Sequence, residues 1–282
     1  MPFTPQVQSL TASTPAGLAI HYHDSDPAKA GELTIVLLHG TGGSAENNFW
    51  ALFPMLAMRH RVVALDFVDP EEAIPQAQAY IDQVLAVVRQ ASAAAPVHLM
   101  GYSFGAVIAA LYAAQHGATV ASLTLACGWV KTDNQQRLRN TIWRSLHESG
   151  HEAVAEFSAF VNYSQPFLNA KNEGELEALT QGIRNGTDRS RKMAFNRNVD
   201  ISQQLAAITA PTLLVGCSLD ITTPMRHARM LFGGIANSRF AQIHSGHGVV
   251  HERPAEVFTM IDEFVRNPSA LPAGHVFENA HA

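Results

Sequence analysis

Val97-His98-Leu99-Met100-Gly101-Tyr102-Ser103-Phe104-Gly105 is the stretch on which the reading of this chain rests. Residues 97–100 have the length and apolar character of a buried strand. The Ala-rich run 104–116, closed by Gly117, has helical character. Between them stands G-x-S-x-G. A strand that turns into a helix within so few residues holds its central residue in strained backbone geometry. A side chain at either flank would clash with that turn, hence the two glycines. The result is a serine hydroxyl raised above a sheet edge at a helix N-terminus. A turn whose serine only caps the helix has the same five letters. The preceding strand, and small residues Gly105, Ala106, Ala109 and Ala110 that let the helix pack closely on a sheet, favour a nucleophile.

Working outward, the alternation of strand and helix continues on both sides. Residues 33–38 form a continuous apolar run, the pattern of a strand buried on both faces of a parallel sheet. A glycine-rich loop at 40–43 and a helix-like stretch at 47–59 follow, then a second buried strand at 61–66. Ile81, Val84, Leu85 and Val88 give helical spacing within 75–94. At the N-terminal end, 7–11 and 18–23 read as a short antiparallel pair around Pro15-Ala16-Gly17. Downstream comes a strand at 120–126, and then the character changes. Residues 129–200 contain no strand run, have breaks at Gly150, Pro166, Gly174 and Gly186, and hold ten of the 19 Lys and Arg residues but nine of the 24 Asp and Glu. Alternation resumes with a strand at 211–216, a helix from Met225, a strand at 239–243 and a helix at 254–266. The expected fold class is α/β: a mostly parallel central sheet flanked by helices, with a helical cap inserted after the sixth strand. The expected division is a core from 1–128 and 204–268, a cap over 129–203, and a loosely held tail at 269–282.

A serine hydroxyl is a weak nucleophile, so it needs a base, and the base needs an orienting acid. Leu213-Leu-Val-Gly-Cys-Ser-Leu-Asp220 places a carboxylate just beyond a strand, and Gln242-Ile-His-Ser-Gly-His247-Gly places a histidine in a loop after the last strand. The order Ser103, Asp220, His247 is one of the known triad orders. Separated along the chain as they are, only folding brings the three together.

These pieces resemble the α/β-hydrolase superfamily over nearly the whole chain: His39-Gly40 after the third strand, Gly101-Tyr-Ser103-Phe-Gly105, Asp220 followed by Thr223-Pro224, and Gly246-His247 followed by Glu252-Arg-Pro254. The resemblance implies that Ser103 is the nucleophile, His247 the general base and then acid, and Asp220 its orienting partner. It also implies an oxyanion hole from the backbone N–H groups of Thr41 and Phe104, with His39 supporting the loop. Such donors contribute roughly 2.7–4 kcal/mol each to transition-state stabilisation. The chain departs from the superfamily after residue 66, where Phe67-Val-Asp-Pro-Glu-Glu replaces an Arg-Gly-x-Gly-x-Ser-type loop, so the pocket floor is expected to differ. Asp133 competes with Asp220, because some members take their acid from the loop after the sixth strand.

Other readings of the same letters have to be weighed. Gly40-Thr-Gly42-Gly-Ser-Ala45, with Asp66 further on, fits the G-x-G-x-x-A fingerprint of NAD(P)-dependent oxidoreductases. That fingerprint normally opens its domain, whereas strand-like sequence precedes it here, and the scheme leaves Ser103 unused. His244, His247 and His251 lie close in sequence without a His-Glu-x-x-His motif, so no metal and no cofactor are expected. In the cap, Trp129, Trp143 and Phe160 are the candidate substrate-binding residues, with Phe157, Tyr163 and Phe167 beside them. Amphipathic helices also bury apolar residues against a core, so for any one of them packing is the plainer reading. Arg184, Arg189, Arg191, Lys192 and Arg197 could receive an anionic group or simply form a solvated face.

The 282 residues carry a net charge of −5 and 47% hydrophobic residues, an ordinary globular composition that disfavours nucleic-acid binding. With two cysteines, Cys127 and Cys217, in apolar runs, a multi-disulfide framework is excluded and buried thiols in a reducing compartment are expected. No apolar run approaches the ~18 residues of a spanning helix and no signal-peptide pattern opens the chain, which reads as cytoplasmic with a small-molecule substrate and no membrane partner. The oligomeric state is not legible. The expected function is hydrolysis of a carboxylic ester or lactone of a small, largely apolar substrate through an acyl-enzyme. A thioesterase or carbon–carbon bond hydrolase could use the same triad, and a slow-turnover ligand sensor is the non-enzymatic alternative.

Overall fold

The computed structural model describes residues 3, 6–29, 33–92 and 95–277. In chain order the elements are β1 (Gln8–Ser13), β2 (Ala19–Asp24), β3 (Thr34–Leu38), α1 (Ala45–Phe49), α2 (Leu52–Ala57), β4 (Arg61–Leu65), α3 (Ala77–Ala91), β5 (Val97–Tyr102), α4 (Phe104–Gln115) and β6 (Val120–Ala126). Then come α5 (Asn134–Glu148), α6 (Val154–Asn162), α7 (Gln165–Asn169), α8 (Glu173–Arg184) and α9 (Ser190–Asn196). The chain closes with β7 (Thr212–Cys217), α10 (Met225–Gly234), β8 (Ser238–Ile243), α11 (Val249–Glu252) and α12 (Pro254–Arg266).

The eight strands make one sheet in the order β1-β2-β4-β3-β5-β6-β7-β8. From β4 to β8 all neighbours are parallel, while β1 and β2 are antiparallel additions at one edge. Burial follows from this position. Every residue of β3, β4, β5 and β7 is buried, because helices cover both faces, whereas β2 alternates between exposed and buried. One apolar cluster packs α3, α4 and α10 on one face, and a second packs α1, α2, α11 and α12 on the other. The β1–β2 hairpin turns at Gly17, whose φ of +84° is open to glycine at little cost.

The helix expected over 47–59 is two short ones, α1 and α2. Pro54 lacks an N–H, and in a continuous helix its ring would strike the carbonyl of Trp50. The tail also differs from expectation. Residues 269–277 are tied to β8: Gly274 donates to the Ser238 carbonyl at 2.8 Å, Phe240 to His275 at 2.9 Å and Phe277 to Phe240 at 2.9 Å. Arg239 reaches the Leu271 carbonyl through Nε at 2.9 Å and Nη2 at 2.7 Å. The free edge of β8 is the physical reason, since its backbone groups need partners. Residues 278–282 of that tail lie outside the described residues. No helix among the described residues is long and apolar enough to cross a membrane.

Helices α5–α9 occupy the chain between β6 and β7 and rest on the sheet's carboxyl end through polar contacts. Lys192 Nζ lies 2.6 Å from Asp69, whose carboxylate also accepts the Tyr80 hydroxyl at 2.9 Å. Asn196 donates to Thr41 Oγ1 at 2.9 Å, and Ser164 meets Glu252 at 2.8 Å through its N–H and 2.6 Å through its hydroxyl. The unusual loop after β4 is thus the seat for one corner of the helical segment.

Candidate active site

Four loops at the carboxyl ends of parallel strands converge, the position where open α/β sheets gather ligands. Ser103 follows β5 with φ 55° and ψ −117°, a positive-φ conformation that a non-glycine residue rarely adopts. Its neighbours explain how the strain is held. A Cβ on Gly101 would sit 2.3 Å from the Gly105 carbonyl oxygen, and one on Gly105 would sit 2.1 Å from the Leu38 oxygen. The strand ladder carries through the turn, since Ser103 N–H donates to the Ala126 carbonyl at 2.9 Å.

Asp220 and His247 arrive from the loops after β7 and β8. His247 Nε2 is 2.8 Å from Ser103 Oγ, and His247 Nδ1 is 2.8 Å from Asp220 Oδ2. All three are buried, Ser103 at 7% exposure and His247 at 4%. The carboxylate is fixed by its own loop: Oδ1 accepts from the N–H groups of Thr222 at 2.7 Å and Thr223 at 2.8 Å, and Oδ2 accepts the Thr223 hydroxyl at 2.8 Å. The Tyr102 hydroxyl donates to the His247 carbonyl at 3.0 Å. Burial by itself would lower the basicity of His247, but the Asp220 carboxylate on Nδ1 outweighs it and the imidazole pKa is raised.

The Gly40–Gly43 loop lies across from the serine. His39 is buried, and burial with Lys192 nearby lowers its pKa to about 4. Its neutral ring accepts the Phe67 N–H at Nε2 (3.0 Å), so Nδ1 donates to the Gly40 carbonyl at 2.7 Å. Asn48 Oδ1 takes the Gly40 N–H at 2.7 Å. Among the described residues, no protein acceptor takes the N–H of Thr41 or of Phe104. Asp66, the candidate ribose ligand, instead accepts the Ala45 N–H at 2.7 Å at the start of α1. The chain's own Asn48, Tyr102 and Arg189 side chains crowd the glycines of this loop.

A cavity of about 970 Å³ opens from Ser103 and His247 beneath α5–α9. Trp129 and Trp143 line it, as do Phe157, Tyr163 and Phe167. Phe160 does not. It is 65% exposed, because the inward stripe of α6 runs through Val154, Phe157, Ser158 and Val161, and position 160 falls outside that stripe. The candidate acid Asp133 is also elsewhere: it caps α5 through Gln136 N–H at 2.9 Å and binds His227 Nε2 at 2.8 Å and Arg226. The three neighbouring histidines diverge, His244 to Ser218 Oγ at 2.9 Å and His251 to Tyr163 at 3.0 Å and the Asn47 carbonyl at 2.9 Å. Among the described residues, one set of three possible metal ligands, Cys127, Asp220 and His247, has its ligand atoms within 4.8 Å of one another. Two of those three are already engaged with each other.

Sequence reasoning missed several neighbours of this site. Asn48 and Tyr102 hold the loops through bonds to backbone that no motif marks. Cys127, with φ 53°, follows β6 and lies next to Cys217, Sγ to Sγ 3.4 Å, and that contact and burial push its thiol well above the usual range. Strand pairing of β6 with β7 creates this proximity, which spacing along the chain does not reveal. Arg139 was hidden by the polar residues around it in α5.

Comparison with known proteins agrees with this architecture. The family described as the alpha/beta hydrolase fold matches residues 34–254. A pyrrolizixenacetamide deacetylase of Xenorhabdus hominickii is 25% identical over 239 residues, 82% of this chain and 90% of that protein. The candidate carbamate hydrolase RutD of Variovorax paradoxus is 27% identical over 246 residues, again 82% and 90%. Among solved structures, the α/β hydrolase MGS-M2 from a Medee basin deep-sea metagenome library superposes with a TM-score of 0.79 at 20% identity, covering 88% of this chain and 94% of that one. Fold order, loop convergence and a family match spanning the sheet and its helices lead to one assignment: this chain belongs to the α/β-hydrolase family.

Proposed function

We propose that the protein is a serine hydrolase that cleaves a carboxylic ester or lactone through an acyl-enzyme, with 129–203 serving as its cap. The observation that carries this reading is the continuous relay of 2.8 Å contacts from Ser103 Oγ through His247 to Asp220. Ser103 Oγ attacks the substrate carbonyl carbon as His247 Nε2 takes its proton. The N–H groups of Thr41 and Phe104 receive the developing oxyanion. His247 returns the proton to the leaving alkoxide, and the C–O bond breaks. Water then attacks the acyl-enzyme with His247 again as base, releasing the acid and restoring the hydroxyl. Asp220 accepts the Nδ1–H, so that Nε2 faces the serine.

A second reading on the same residues is cleavage of an amide or carbamate. It is favoured by relatives named for deacetylation and for carbamate hydrolysis. The two readings differ in how much proton donation from His247 the leaving group requires, so an ester and an amide of one acyl group separate them. The test of the shared reading is labelling with a fluorophosphonate and mapping the adduct. The expected result is modification at Ser103, together with loss of ester turnover in Ser103→Ala with its fold intact. Turnover retained in that variant, or an adduct elsewhere, would overturn the assignment.

A further inference from the structure

Two guanidinium groups, Arg139 and Arg189, line the cavity without a carboxylate partner among the described residues. Arg139 lies on α5 in the stripe Gln136, Arg139, Trp143 and His147, all of which line the cavity. Its Nε is buried with no hydrogen-bond partner, and no carboxylate among the described residues forms an ion pair with it. The carboxylate whose field it feels is Asp220, but both oxygens of that group are committed to His247, Thr222 and Thr223. Arg189, just before α9, lines the same cavity. It donates to Ser158 Oγ at 2.5 Å and lies over the Trp143 ring at 5.1 Å, with no carboxylate within ion-pair distance among the described residues. Trp143 Nε1 is a third buried donor without a partner. Burial, and then the charge of Arg139, lower the Arg189 pKa to about 10.

Arg184 and Lys192 of the cap, by contrast, have carboxylate partners, Glu177 and Glu156 for the first and Asp69 for the second. A buried cation without a counter-ion is expensive, and so is a buried donor without an acceptor. Arg139 and Arg189, both half-buried and without a carboxylate partner among the described residues, line the cavity that contains the nucleophile, with the unpartnered Trp143 Nε1 beside Arg189.

We propose that Arg139 and Arg189 form a subsite for a carboxylate carried by the substrate, a group separate from the bond that Ser103 attacks. This deepens the hydrolase reading and rests on it. A planar guanidinium fork matches a carboxylate in two-point contact, and the charge-assisted bonds formed there are about twice as strong as neutral ones. A dianionic phosphate fits less well, because Asp188 lines the same cavity and Asp220 lies near Arg139, so a second negative charge is repelled. The substrate class is then a hemi-ester, or the corresponding amide, of a dicarboxylic acid or an equivalent acid-bearing acyl or leaving group.

The test compares monophenyl esters of adipic, pimelic and suberic acids with phenyl esters of the monocarboxylic acids of the same length. The expected result is that kcat/KM favours the charged partner about tenfold to a hundredfold for at least one length. That preference falls towards one in the double variant Arg139→Met, Arg189→Met, and is partly restored by Arg139→Lys with Arg189→Lys. Calorimetry of monomethyl adipate, pimelate and suberate on the Ser103→Ala protein reads the same site without turnover. Should fluorophosphonate fail to label Ser103 while a hemi-ester still binds in an Arg-dependent way, the hydrolase reading fails and the subsite stands. No preference for charge at any length, undiminished binding in the folded double Met variant, or tighter binding of a phosphate-bearing analogue would overturn the carboxylate subsite.

Discussion

At the scale of single residues, the site depends on which atom of His247 carries a proton. Asp220 raises the basicity of the imidazole, so the protonated form persists to higher pH than in a free histidine. On the proposed mechanism His247 must be neutral to accept the Ser103 proton, so activity is expected to appear as pH rises through its pKa. Asp220→Asn removes the cause of the upward shift. The acidic limb of kcat/KM is expected to move to lower pH, while the plateau drops by about 10⁴ through loss of the correct tautomer. A pH profile on one ester measures both, and an unmoved limb would separate Asp220 from His247. Ser103, Asp220 and His247 were legible because each stands in a local pattern at the end of a strand. Arg139 was not, because a single arginine in a polar helix looks solvated until the cavity beneath it is seen. Phe160 was misplaced for a related reason. Phe157 and Phe160 are one turn apart, and only packing decides which of them points inward.

At the scale of elements, glycine positions separate what a turn requires from what it tolerates. The start of α4 presses against the end of β3, so a Cβ at position 105 would lie 2.1 Å from the Leu38 oxygen, a backbone atom that cannot rotate away. Gly105→Ala is therefore expected to destabilise by at least about 3 kcal/mol or to abolish soluble protein. Gly233 in α10 is the counter-case, since a methyl group added there would meet nothing within 4 Å among the described residues. Gly233→Ala is expected to stabilise by roughly 0.5–1 kcal/mol, because the helical residue gives up less backbone entropy. Urea unfolding of both variants reads the opposite signs, and similar losses at the two positions would contradict this account of the turn. Strand and helix order was visible from apolar runs, since strands buried on both faces leave no polar positions. The division of 47–59 into α1 and α2 required the steric rule at Pro54 to outweigh helical spacing.

At the scale of the whole molecule, the antiparallel edge is joined to the parallel sheet by a buried ion pair. Arg61 on β4 donates through Nη2 at 2.6 Å and Nε at 3.2 Å to Asp24 on β2, and through Nη1 at 2.7 Å to the Ala91 carbonyl ending α3. Arg61→Leu leaves the Asp24 carboxylate buried and unpaired, an expected loss of about 3–5 kcal/mol. Replacing both residues by leucine is expected to recover part of that loss, read as a coupling energy in a double-mutant cycle. Strictly additive losses would show that the pair does not act as a unit. Sequence alone determined the alternating α/β order, the turn at Ser103 and the candidate positions of its partners at strand ends, because these depend on local sterics and periodicity. Tertiary structure alone decided which of two aspartates meets the imidazole, how residues 269–277 are held, and which cap residues face the cavity. Those outcomes depend on contacts between segments distant along the chain, whose geometry no local pattern encodes.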